Sequence, residues 1–239
     1  MTEHDLTLPA IAGKHDYHEF IRGAQAALPV LLGLVPFALV LGAQAAHKGL
    51  SVYEVALMTG LNFGGGSEFA AIELWSSPVQ VLVIVAMTLL VNSRHLLMGA
   101  TLAPYLHHLP LSKALPALFF MCDESWAMGL ADSRLRARLS LAYFLGVALC
   151  LWLTWVTCTA LGALIGPTLG DLRSYGFDMA FAAVFLVLLR GMWRGLHAAV
   201  PWLFSLLTAA LFYLLIPGGW YVLAGTLAGL VSAYLWAKS

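Results

Sequence analysis

Charge is what this sequence has least of. Its 239 residues carry 12 Lys and Arg against 12 Asp and Glu, so only 10% are charged, where a soluble domain averages about 25%. With 61% apolar residues and a mean hydropathy of +0.86, a water-soluble globule is excluded. The body of the chain is poorer still, because six charges (Glu3, Asp5, Lys14, Asp16, Glu19 and Arg22) fall in the first 22 residues. The net charge of zero comes without any cluster of Lys or Arg interleaved with aromatics, which argues against a nucleic-acid partner. Cysteine is equally sparse. Cys122, Cys150 and Cys158 have no paired spacing and no zinc-like arrangement with histidine, and read as small apolar packing residues. No phosphate-cradling Gly-x-x-x-x-Gly-Lys-Ser/Thr loop, Gly-x-Ser-x-Gly elbow or His-Glu-x-x-His pair occurs. Neither ATP-driven chemistry within this chain nor a resident cofactor or metal is expected.

Long apolar runs are what the sequence has instead. A helix needs about 20 mostly apolar residues to cross a bilayer, and uncharged runs of that length recur. The runs predict an all-α membrane protein of about eight spans, near 24–46, 52–75, 79–103, 112–131, 139–163, 176–193, 197–216 and 219–236. Pro217-Gly218-Gly219 makes the last turn. Residues 1–22 form a polar tail, with His4, His15 and His18 solvated, and 23–239 a single integral-membrane domain. The tail and the length of the first run do not fit a cleaved signal peptide. In this arrangement Lys14, Arg22, Arg134, Arg136, Arg138, Arg190, Arg194 and Lys238 share one side, and only Lys48, Lys113 and Arg173 the other. The positive-inside rule then puts both termini in the cytoplasm. Trp75, Tyr105, Trp193, Trp220, Tyr221 and Trp236 near span ends read as headgroup anchors, and Gly162/Gly166 and Gly225/Gly229 as close helix-packing faces. Pro29, Gly33 and Pro36 predict a kink in the first span. Asp178 reads as a helix cap.

Three spans break the apolar rule. Span two contains Asn62-Phe63-Gly64-Gly65-Gly66-Ser67-Glu68. Each Gly costs a helix about 1 kcal/mol relative to Ala, and a carboxylate at bilayer depth costs at least about 2.5 kcal/mol on insertion scales. The helix is expected to unwind there and line a cavity or helix interface, since irregular backbone is tolerated in a membrane only where protein or water receives it. The half-helix opening at Ser67 would suit an anion such as a substrate carboxylate. Span three is interrupted by Asn92-Ser93-Arg94-His95, and span four holds Asp123-Glu124. Arg94 is always charged and must snorkel or find an acid. Asp123 and Glu124 are the partners at hand, either as a structural salt bridge or as part of a transport site. His95 either relays protons or hydrogen-bonds a backbone carbonyl.

The order of these motifs resembles the AzlC family of bacterial inner-membrane permeases, associated with export of branched-chain amino acids and resistance to their analogues. The likeness is carried by Gly33-Leu34-Val35-Pro36-Phe37, Phe63 through Phe69, Asn92-Ser93-Arg94-His95 and Cys122-Asp123-Glu124-Ser125-Trp126-Ala127. It implies a multi-pass permease, not an enzyme, that works with a small membrane subunit of the AzlD type. One departure stands out: position 68 is Glu where the family commonly has Gln, which adds a titratable group. The expected function is export of neutral, branched-chain amino acids from the cytoplasm. Phe37, Asn62, Gly64, Gly65, Gly66, Ser67, Glu68 and Phe69 would hold substrate. Glu68, Asn92, Arg94, His95, Asp123 and Glu124 would form the ion-pair and proton-coupling group. Proton antiport is the simplest energy source, with Na+ coupling or facilitated efflux fitting the same residues. An intramembrane acid/base enzyme and a non-transporting assembly subunit are the alternatives.

Overall fold

The computed structural model describes residues 8–169, 186, 190, 195–216 and 220–236, and every element among them is helical. In order these are α1 (Leu8–His47), α2 (Val52–Asn62), α3 (Gly66–Glu73), α4 (Val81–Asn92), α5 (Arg94–Leu106), α6 (Leu111–Phe119), α7 (Asp123–Arg136), α8 (Leu141–Ile165), a 3-10 turn at Gly166–Leu169, α9 (Leu196–Leu215) and α10 (Trp220–Trp236). Apart from Leu186 and Arg190, the expected sixth span, with Asp178 and Trp193, lies outside the described residues, as do His4 and Pro217-Gly218-Gly219. The chain divides into two compact units, Met1–Glu68 with Asn92–Gly170, and Phe69–Val91 with Asp171–Ser239.

The first unit is built on α1 and α8. Lipid tails are as apolar as leucine, so helices in a bilayer associate through close packing, and glycines supply the closeness here. A Cβ on Gly23 would strike the Tyr143 carbonyl, one on Gly146 the Phe20 carbonyl, one on Gly42 the Thr159 carbonyl and one on Gly162 the Leu39 carbonyl. Contacts that advance together along both chains make the two helices parallel. Gly166, against Ala43, extends the seam, as the small-residue spacing predicts. At its far end His47 Nε2 meets the Gly166 carbonyl oxygen at 3.2 Å. Helix α1 runs unbroken through Pro29 and Pro36.

At the other end of the seam, the last residues of the expected polar tail take part in packing. Helix α1 starts at Leu8, and Glu19 is buried. Arg22 pairs with Glu19 at 2.7 Å and with Asp132 at 2.9 Å, and Arg136 pairs with the same two acids at 3.3 and 3.4 Å. The Arg22 guanidinium also covers the Tyr143 ring at 3.9 Å. Polar residues near the first apolar run thus clamp α1, α7 and α8 together.

Span four is the larger correction. Residues 112–131 do not form one crossing. Helix α6 ends at Phe119, Phe120 to Cys122 are irregular, and α7 begins at Asp123. The Ser125 hydroxyl accepts the Cys122 N–H at 2.9 Å, which stabilises the new helix start. Helix α6 follows α8 inward from Lys113, which lines a cleft with Leu141 and Leu145, to Phe120, whose ring meets Trp152 at 5.5 Å. Helix α7 returns, placing Arg136 beside Glu19. Helices α6 and α7 therefore form a hairpin that enters and leaves at the Arg22 end. Lys113 consequently shares a side with Arg136 and Arg138, where a single crossing would separate them.

In the second unit, α9 and α10 match the seventh and eighth expected spans. Gly225 lies against Ala209 and Ser205, and Gly229 against Ser205 and Pro201, so the two helices are antiparallel and the expected Gly225/Gly229 face is a packing face. By length and composition three described helices can cross a membrane, Asp16–His47, Val81–Leu106 and Leu141–Thr168, while Ala199–Leu215 and Leu223–Trp236 are apolar but shorter.

Candidate functional site

The broken α2–α3 segment is held where the sequence places its glycines. Helix α2 starts on a Ser51–Glu54 capping box and runs against α8. The Thr59 and Thr159 hydroxyls meet at 3.0 Å, and Trp152 Nε1 donates to the Gly60 carbonyl at 3.0 Å. It ends at Phe63, which turns left-handed with φ +44°, and Gly65 follows at φ +52°. Between them Gly64 has no room for a side chain: a Cβ would collide with Ser67 Oγ, Asn62 Nδ2 and Asn92 Oδ1. The Asn62 amide donates to Ser67 Oγ at 2.9 Å and accepts from Asn92 Nδ2 at 2.8 Å, so one side chain fastens the unwound strand to both neighbours.

Glu68 sits at the centre of this fastening, 1% exposed. Its Oε1 accepts from the Gly64 N–H at 3.2 Å and Asn62 Nδ2 at 3.3 Å, and its Oε2 accepts from Trp155 Nε1 at 2.8 Å. All three contacts donate to the carboxylate, which offsets the desolvation of a buried charge-bearing group. On the other side of the same glycine, Arg94 donates to the Gly64 carbonyl at 3.0 Å and pairs with Asp123 at 3.0 Å. The two peptide groups flanking Gly64 Cα are thus held between an acid and a cation. Glu68 is enclosed, whereas the Arg94 and Asp123 side chains are 33% and 40% exposed. Two polar atoms beside them are buried without a hydrogen-bond partner, Arg94 Nε and Asn92 Oδ1.

The site joins most of the residues that the sequence singles out. Asn62, Gly64, Ser67, Glu68, Asn92, Arg94 and Asp123 form one connected network. His95 Nδ1 meets the Asn92 carbonyl oxygen at 3.1 Å, and Glu124 lies beside the Cys122 thiol and not on Arg94. Phe37 stacks on Trp155 with ring centroids 5.5 Å apart. Gly66 opens α3, Gly65 has open space around its Cα, and Phe69 is buried. The anion seat expected on the unwound backbone is occupied differently, because the Gly64 N–H is taken by Glu68 itself. The interruption at 92–95 is also slight: only Ser93 leaves the helix, with φ −56° and ψ −23°, so the backbone stays helical. Trp155 and Trp152 escaped the sequence reading because span five is uniformly apolar. Their one signal is position: indole N–H groups far from a span end must find a buried acceptor. Among the described residues, no cluster of three His, Cys, Asp or Glu could hold a metal.

Apolar helices of membrane length, with a buried acid and an ion pair gathered at the α2–α3 break, define a membrane protein with a polar centre among the helices of its first unit. Residues 29–169 match the AzlC protein family, and the chain belongs to it. A protein of Archaeoglobus fulgidus named an uncharacterized membrane protein is 30% identical over 74% of this chain and 78% of its own length. The inner membrane protein YgaZ of Escherichia coli is 27% identical over 65% of this chain and 64% of its own. The branched-chain amino acid transport protein AzlC of Bacillus subtilis is 26% identical over 70% of this chain and 65% of its own. The chain thus spans just under two thirds of the last two proteins. No solved structure matches it.

Proposed function

We propose that this chain is a secondary transporter exporting neutral, branched-chain amino acids across the bacterial cytoplasmic membrane by proton antiport, together with a small AzlD-type membrane subunit. The observation that carries this reading is the Arg94–Asp123 pair, partly exposed and tied to a broken helix, with Arg94 Nε and Asn92 Oδ1 unpartnered beside it. An amino acid is a zwitterion, and a cation next to an anion is its complement. The substrate carboxylate takes Arg94, and its ammonium takes Asp123 and Asn92 Oδ1. Phe37 contributes apolar wall for an aliphatic side chain. Glu68, Asp123 and Glu124 are the acids through which proton exchange would be coupled to this binding. Glu68, Asn62, Ser67 and the Gly64–Gly66 backbone hold the broken helix in register, and His95 and Glu124 border the proton route.

The distribution of charge supports the orientation. Arg22, Lys113, Arg134, Arg136 and Arg138 share one end of the first unit and Lys48 the other, which under the positive-inside rule supports a cytoplasmic Arg22 end. The relative from Bacillus subtilis, named for branched-chain amino acid transport, supports the substrate class. The test is labelled valine in proteoliposomes holding this chain and its partner subunit under an imposed pH gradient. Gradient-driven valine movement is expected, lost in Asp123→Asn and in Arg94→Gln. If the doubly neutralised protein regains full transport, the pair is only a structural brace and the reading fails.

A further inference from the structure

A cleft of about 810 Å³ opens at the Arg22 end of the first unit, remote from Glu68 and Arg94. That is within the size range of small-molecule sites. His108, Lys113, Arg136 and Arg138 line it, with Asp16 as its carboxylate. The walls come from α1, the α5–α6 link, α6 and the α7–α8 link, and they are fastened. The Leu139 N–H donates to the Tyr105 carbonyl at 3.1 Å, joining the α7–α8 link to the end of α5. Ser140 Oγ accepts the Tyr143 N–H at 3.4 Å at the start of α8. Glu19 and Asp132 hold Arg136 by ion pairs. Lys113 and Arg138, in contrast, have no carboxylate of the described residues within ion-pair distance. Among the described residues, two cations without a carboxylate partner therefore face the cleft. Beside Ser140, its remaining wall is formed by apolar residues that include Phe20, Leu141 and Leu145, on α1 and α8.

Cations at a rim above an apolar wall are the complement of an anionic phospholipid, whose phosphate sits at the interface while its chains run into the bilayer. We propose that this cleft binds the phosphate of an anionic lipid, with Lys113 and Arg138 as its principal contacts. The hairpin of α6 and α7 makes the site, since a single crossing would carry Lys113 to the opposite leaflet. The inference uses the cytoplasmic orientation given above but not the transport reaction, so a binding assay separates the two.

The experiment titrates fluorescent phosphatidylglycerol into the full chain in detergent micelles, with phosphatidylcholine and inorganic phosphate as competitors. Lys113→Gln/Arg138→Gln is expected to weaken phosphatidylglycerol binding roughly 30-fold, the equivalent of two interfacial charges at about fivefold each. Charge-preserving Lys113→Arg/Arg138→Lys and the distant Lys48→Gln are expected to bind like the parent, which also reports that the fold is intact. Phosphatidylcholine should not compete, and inorganic phosphate should compete only in large molar excess. Equal affinity in the parent and the double Gln variant, or competition by phosphatidylcholine at equal concentration, overturns the proposal. Competition by inorganic phosphate as strong as by lipid overturns the lipid assignment in favour of a free phosphate.

Discussion

Replacing Gly64 by alanine tests the central geometry directly. Its Cβ would collide with Ser67 Oγ, Asn62 Nδ2 and Asn92 Oδ1 at once, and these three side chains are already fastened to one another by the Asn62–Ser67 and Asn92–Asn62 hydrogen bonds. Forcing a methyl into a full site costs about 1–3 kcal/mol, and each of the two displaced hydrogen bonds adds about 1 kcal/mol, giving about 3–5 kcal/mol. Two other glycines calibrate the measurement. A Cβ on Gly65 meets open space, but its φ of +52° is left-handed, so Gly65→Ala should cost about 1–2 kcal/mol through backbone strain alone. Gly33 is helical and its Cβ also meets nothing, so Gly33→Ala should stabilise by about 1 kcal/mol. Thermal melts of the detergent-solubilised protein should rank the variants Gly33→Ala, parent, Gly65→Ala, Gly64→Ala from most to least stable, and valine efflux should vanish in the last. A Gly64→Ala protein that melts above Gly65→Ala, or exports valine at the parent rate, would falsify the crowded, fastened centre described here.

Trp155→Phe removes the donor to Glu68 Oε2 while keeping a ring against Phe37; a loss of about 1–3 kcal/mol is expected, read as a lower melting temperature. Asp132→Asn weakens the pairing of Arg22 and Arg136; because Arg22 is 37% exposed and Arg136 42%, solvent screening limits the expected loss to about 1–2 kcal/mol, and Arg134→Gln on the same helix serves as the neutral control. Single cysteines at Lys113→Cys and Arg138→Cys should react with a membrane-impermeant thiol reagent from the same side, and Lys48→Cys from the other. Labelling of Lys113→Cys and Arg138→Cys from opposite sides would restore the single crossing in place of the α6–α7 hairpin.

Much of the site was legible because its signals are local. Three consecutive glycines beside Asn62 and Glu68 announce a broken helix whatever surrounds them, and a fixed cation at Arg94 demands an acid, which Asp123 supplies. Of the seam glycines, Gly162 and Gly166 were legible for the same reason: small residues at four-residue spacing are useful only against another backbone. What the sequence withheld depends on partners far along the chain. Nothing near Trp155 states that its indole faces Glu68. The break at Phe120 to Cys122 has no glycine to mark it; its one hint is Asp123-Glu124-Ser125, a set of residues suited to a helix start and set in the middle of an apolar run. Missing that break made α6 and α7 one span and moved Lys113 to the wrong side. Glu19 and Arg22 were read as tail because polarity near a terminus suggests solvent, whereas here the charges neutralise one another against α7.

The parallel seam of α1 and α8 also dictates an order of assembly. His47 and Gly166, which close it, are 119 residues apart, so α1 leaves the ribosome long before its mate exists. Contacts of such large sequence separation form late. Until α8 emerges, Glu68 lacks the indole that covers it and the α2–α3 break lacks its wall, and the nascent protein must shelter an exposed acid and unpaired amides. Synthesis of α8 is therefore the step that converts a set of inserted segments into a closed bundle, and a chain truncated before Trp155 would leave that polar centre open to lipid.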